Sequence, residues 1–73
     1  MRKCDELADP QGCLNRAAPD EWVFVLLGRD IATPATIRFW VGERLRLGKN
    51  KLEDAQIQQA LWAAQVIEAE RSA

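Results

Sequence analysis

The sequence predicts a mainly α fold: a helical hairpin with helices at about 34–47 and 51–70. A short strand or helix at 22–27 and an irregular N-terminal arm precede it. Three observations carry this. Thr33-Pro34 is a helix start, with Thr at the N-cap and Pro at the first helical position. Gly48 is a helix stop, and only a short polar link separates it from the next helical pattern, so the two helices should lie antiparallel. Apolar residues recur at helical spacing on both sides of that link. All 73 residues read as one domain, with 1–20 as the arm and 21–73 as the helical core. If the segment 22–27 is a strand and pairs, the fold becomes a small α+β one.

In the arm, Pro10, Gly12, Asn15 and Pro19 prevent any long helix, and Arg2 to Ala8 has room for one helical turn or two. Leu7 and Leu14 are the residues placed to pin the arm to the rest. Next comes the run Trp22-Val23-Phe24-Val25-Leu26-Leu27, aromatic and β-branched, which favours a buried strand. The rival is a short helix, started by Pro19-Asp20-Glu21 and stopped by Gly28. A lone strand leaves its backbone unpaired, so a strand here needs a partner from the arm or from another subunit.

Gly28 to Ala32 is a connecting loop. In the first hairpin helix Ile37, Trp40, Val41, Leu45 and Leu47 share one face, and Arg44 falls within it. Arg44 there either reaches the edge and pairs, or points into a pocket and holds an anion. Arg44 and Arg46 suit the negative end of the helix dipole. Asn50 and Glu53 are spaced as a capping box for the second helix. That helix carries two apolar stripes: Ile57, Ala60, Leu61, Ala64 and Ile67 on one side, and Ala55, Trp62, Val66 and Ala69 on the other. A helix apolar on two faces is usually sandwiched. A chain this short buries only about 60% of its unfolded surface, so self-association is the economical expectation, with cover by the arm as the alternative. Phe39, off the core stripe, suggests a second contact surface. Phe39, Ala55, Trp62, Val66 and Ala69 are the candidate oligomer or partner interface.

Composition narrows the function. The chain has 10 basic and 11 acidic residues, a net charge of −1, which argues against general nucleic-acid binding. No apolar run reaches membrane-spanning length, and the N-terminus lacks the apolar stretch of a signal peptide, so a cytoplasmic location is expected. There is no histidine, and Ser72 is the sole serine, so the usual catalytic triads are excluded. No glycine-rich phosphate loop occurs. The acidic pairs Asp20/Glu21 and Glu53/Asp54 read as helix-start or solvated positions. An enzyme is therefore not expected, nor a cofactor. Cys4 and Cys13 are compatible with free thiols, with one disulfide, or with half of an intersubunit metal site; two ligands do not make a zinc site, and no metal is assigned.

Binding is the class left. Arg29 and Asp30 lead into the helix start at Thr33 and Thr36, where free N–H groups and hydroxyls favour an anion. With Trp40 and Arg44 these form the candidate ligand site. The alternative is a solvated loop with a capped helix. Trp22, Trp40 and Trp62 can stack on a base, or serve as core or interface.

The stretch Asp20-Glu21-Trp22-Val23-Phe24-Val25-Leu26-Leu27-Gly28-Arg29-Asp30, followed by Pro34-Ala35-Thr36-Ile37-Arg38-Phe39-Trp40, resembles a group of small uncharacterised phage and prophage accessory proteins. The shared pattern is an apolar Val-Phe-Val-Leu run, an Asp-containing turn and a Pro/Ala-started helix with a Trp, over residues 20–70. The resemblance implies an inhibitor of host defence acting by stoichiometry. Three expectations follow: sequestration of an anionic nucleotide signal; protein–protein inhibition of a defence complex such as a CRISPR effector; or a structural or DNA-associated phage component. The expected partners are a second copy of the chain and either a small anionic ligand or a host defence protein.

Overall fold

The computed structural model describes residues 2–72 and is mainly helical, without a strand among those residues. Four helices follow in order: α1 (Lys3–Ala8), α2 (Cys13–Arg16), α3 (Thr33–Arg46) and α4 (Ala55–Ser72). The expected hairpin is α3 against α4, and α1 packs on α2.

Both hairpin ends follow capping chemistry, with two corrections to the sequence reading. Ala32, not Thr33, is the N-cap of α3, and its carbonyl accepts the Thr36 N–H at 3.0 Å. Asp30 supplies the side-chain support, its Oδ1 accepting the Ala32 N–H at 2.9 Å. The Thr33 hydroxyl is turned inward and donates to the Leu27 carbonyl at 2.6 Å. At the other end, Lys49 N–H reaches Arg44 O (3.0 Å), Gly48 N–H reaches Leu45 O (3.1 Å), and Gly48 has φ +70°. This is a Schellman stop. The second correction concerns α4, which starts at Ala55, four residues later than expected. Asp54 competes for the cap: its Oδ2 accepts the Lys51 N–H (3.0 Å) and the Asn50 amide (3.0 Å), while its carbonyl accepts the Gln58 N–H (3.0 Å). A carboxylate at this position holds Lys51–Asp54 in a turn, and Glu53 is left exposed.

The core stripes are those of the pattern. Val41, Ile57 and Ala64 are buried, with Thr33 and Pro34 at the edge. Ile37, Leu45, Ala60, Leu61 and Ile67 are half-buried around them, whereas Trp40 and Leu47, expected on the same stripe, are exposed. Arg38 on α3 forms a two-pronged pair with Glu68 on α4, at 2.9 and 2.6 Å. The Arg71 guanidinium, near the end of α4, donates to the carbonyls of Gly28 (3.0 Å), Ile31 (3.3 Å) and Asp30. That ties the loop before α3 to the end of α4 and makes the helices antiparallel.

In the arm, the Asn15 amide donates to the carbonyls of Glu6, Leu7 and Asp9, at 3.3, 3.3 and 2.7 Å, and closes α1 on α2. Gly12 is buried here, where a Cβ would sit 2.9 Å from the Glu6 carbonyl oxygen. Leu7 and Leu14 stay exposed and do not pin the arm. Its link to the hairpin is an Arg2–Glu70 ion pair on the surface.

Residues 22–27 form neither of the expected structures. The segment is extended but unladdered, bounded by turns at 18–21 (Glu21 N–H to Ala18 O, 3.0 Å) and 27–30 (Asp30 N–H to Leu27 O, 3.1 Å). It lies between arm and hairpin, and all six residues are exposed. A strand exists only through a ladder, and the described chain offers no second extended segment to supply one.

Candidate functional site

The six residues of the candidate ligand site do not converge. Arg29 is exposed in the turn before α3. Asp30, Thr33 and Thr36 spend their polar atoms on the chain itself. The Asp30 carboxylate supports Ala32, the Thr33 hydroxyl holds Leu27 O, and the Thr36 hydroxyl donates to Ala32 O at 2.8 Å. The carboxylate of Asp30 also places negative charge at the helix start, which opposes an incoming anion. Arg44 lies eleven residues beyond Thr33, about 16 Å along the helix axis. Its Nε donates to Asn50 Oδ1 at 2.6 Å, and its guanidinium sits 5.6 Å from the centre of the Trp40 ring. Arg44 is thus half-buried and paired, through the Asn50 amide that also contacts Asp54. Of the predicted site, the fold brings Trp40 against Arg44, as a spacing of four residues on a helix requires, and sets Thr36 and Trp40 on one cleft wall.

A different concavity is present. A cleft of about 460 Å³ opens between the 22–27 segment and the hairpin, walled by Phe24, Leu26, Thr36, Ile37, Trp40 and Ala60. Trp40 and Thr36 were singled out in the sequence; Phe24, Leu26, Ile37 and Ala60 were read there as strand or core. No local signal marks them, because the cleft exists only where the extended segment crosses the helices. Its wall is apolar but for Thr36, whose hydroxyl is already donated. Its chemistry suits an apolar or aromatic surface better than a phosphate.

The proposed interface residues are largely free of cover. Phe39 is 72% exposed and Trp62 66% exposed. Ala55 and Ala69 are also exposed, and Val66 is half-buried. The second apolar stripe of α4 is therefore real, and the arm leaves Trp62 open to solvent.

Two carboxylates are held below their ordinary pKa: Asp54 by the Lys51 N–H and then the Asn50 amide, and Glu68 by its bonds to Arg38. Both serve the scaffold. Cys4 and Cys13 are exposed free thiols. Among the described residues no three His, Cys, Asp or Glu side chains gather where they could hold a metal ion. No helix of the described chain is long and apolar enough to cross a membrane. No family model, curated protein or solved structure matches the chain.

Proposed function

We propose that the chain is a non-enzymatic binding protein that works by covering a protein surface. In the setting the phage-type resemblance implies, it is an antagonist of a bacterial defence complex in the host cytoplasm. The observation that supports this reading is the imbalance of its apolar side chains. Two large aromatic rings on separate helices, Phe39 on α3 and Trp62 on α4, face solvent, while the buried apolar core is Val41, Ile57 and Ala64. Exposed aromatics on a rigid helical support are what protein interfaces use as anchors. Sequestration of an anionic nucleotide has less behind it. Of the residues proposed to bind one, the hydroxyls, Asp30 and Arg44 have internal partners, and the apolar cleft beside Trp40 presents no free cation.

The test is an affinity purification from defence-proficient bacteria, paired with a phage-plating assay. One stoichiometric partner should co-purify with the wild-type chain and be lost with Phe39→Glu combined with Trp62→Glu, together with protection of the phage. Retention of the same partner by the double variant sinks the reading. A released nucleotide in place of a protein partner would shift it to sequestration.

A further inference from the structure

The apolar segment 22–27 is the least satisfied part of the molecule. Its side chains range from 37% exposed (Leu26) to 98% exposed (Trp22). From Trp22 to Leu26 no backbone N–H or carbonyl has a hydrogen-bond partner among the described residues. This is an open strand edge of β-branched and aromatic residues, the surface on which another strand docks.

We infer that this segment pairs antiparallel with the same segment of a second copy, centred on Val25. Four observations specify a second copy. The first is symmetry: in a two-fold antiparallel ribbon residue i faces residue N−i, and opposed side chains share a face, so N must be even. The axis therefore passes at Phe24 or at Val25. The second is charge. Centring on Val25 brings Glu21, in the turn before one extended segment, towards Arg29, in the turn after the other, twice, just beyond the two ends of the ladder; Asp20 and Asp30 align in the same turns, where the Asp30 carboxylate is already held by the Ala32 N–H. Centring on Phe24 sets Arg29 against Pro19 and Glu21 against Leu27. Arg29 has no ion-pair partner among the described residues, and the Glu21 carboxylate is engaged by the Ala18 N–H alone. The third is shape. The Val25 register puts Val23 against Leu27 and Phe24 against Leu26, so every pair within the ladder is apolar.

The fourth is area. The chain exposes 6100 Å². A compact folded monomer of 8.3 kDa exposes about 4600 Å². The excess exceeds the roughly 800 Å² per partner that a standard stable interface removes. Phe24 and Leu26, which wall the cleft over α3 and α4, fall on one face of the ribbon in both copies. The two hairpins therefore lie side by side beneath the ribbon. This surface is separate from the Phe39 and Trp62 surface, so the pairing stands or falls independently of the proposed function.

Cross-linking tests the register in the full chain carrying Cys4→Ser and Cys13→Ser. Val25→Cys brings two thiols face to face across the axis, within disulfide reach. Phe24→Cys leaves its two copies about 8 Å apart in the same ribbon, beyond reach. The expected result is a covalent dimer on mild oxidation for Val25→Cys and not for Phe24→Cys. The reverse pattern overturns the register. A charge exchange tests the pairing itself, because Val25 is exposed and tolerates substitution. Val25→Asp should be a helical monomer by light scattering and circular dichroism, as should Val25→Lys, and mixing the two should restore the doubled mass. A monomeric wild-type chain at micromolar concentration, or a dimer that Val25→Asp leaves intact, overturns the proposal; the latter would place the contact on α4.

Discussion

Ile57 carries more of this structure than its size suggests. It is fully buried, and with Val41 and Ala64 it forms the buried apolar core. Removing three carbons from a filled site costs about 2–5 kcal/mol. A small domain holds only about 5 kcal/mol or so to lose. Ile57→Ala should therefore lose most of its helical signal at room temperature, followed by circular dichroism in a urea titration; a variant as stable as wild type would show that the hairpin is held elsewhere. At the polar residues the sign is set by protonation. Asp54 and Glu68 have lowered pKa values in the fold, so their contribution is complete above the ordinary carboxylate pKa of about 4. It is lost as pH falls through the lowered folded values. Helicity should be flat from neutral pH to about 5 and fall below about 4. Asp54→Asn, which cannot gain or lose that charge, should flatten part of the acid limb.

At the scale of elements, α3 shows how much of the architecture is local. Thr33-Pro34, the arginines of the last turn and Gly48 announced its ends, and the helix runs Thr33–Arg46 with the expected Schellman stop. Two glycines in and beside it make opposite predictions. Gly48 has φ +70°, a conformation that penalises any Cβ, so Gly48→Ala should destabilise by about 1 kcal/mol. Gly42 is inside the helix with nothing within 4 Å of an added Cβ. Gly42→Ala should stabilise by about 0.5–1 kcal/mol through helix propensity. Melting temperatures moving in the same direction would refute one of the two assignments. The α4 start was less legible: Asn50 and Glu53 have capping-box spacing, but Asp54, one residue on, takes both the Asn50 amide and the Lys51 N–H. Local spacing lists the possible caps; which carboxylate wins depends on how the chain leaves the preceding helix. The 22–27 segment was legible as apolar and β-prone, and only the absence of a neighbouring strand left it unladdered.

For the whole molecule, compactness is the informative quantity. Its radius of gyration is 13.0 Å, against about 11 Å for a compact 73-residue domain. The arm and the extended segment account for the looseness, since α1–α2 and α3–α4 each pack internally and the arm joins α4 through Arg2 and Glu70. Phe39→Glu and Trp62→Glu remove exposed rings, so they should leave the melting temperature within a few degrees of wild type while abolishing partner capture. A collapse of the fold in either variant would mean that these rings are structural.

The sequence by itself determined the helical hairpin, its Gly48 stop, the core stripe of α4 and the apolar stripe opposite, because helical periodicity and capping act over a few residues. It also determined that Trp40 and Arg44 would meet, one turn apart on one face. The tertiary structure decided that the candidate anion site does not assemble. Its polar atoms are drawn into the loop-to-helix junction at one end of α3, and Arg44 is paired at the other. It likewise decided the state of Trp22–Leu27. A strand is a relation between two segments, and whether a second segment lies alongside is written nowhere in the first.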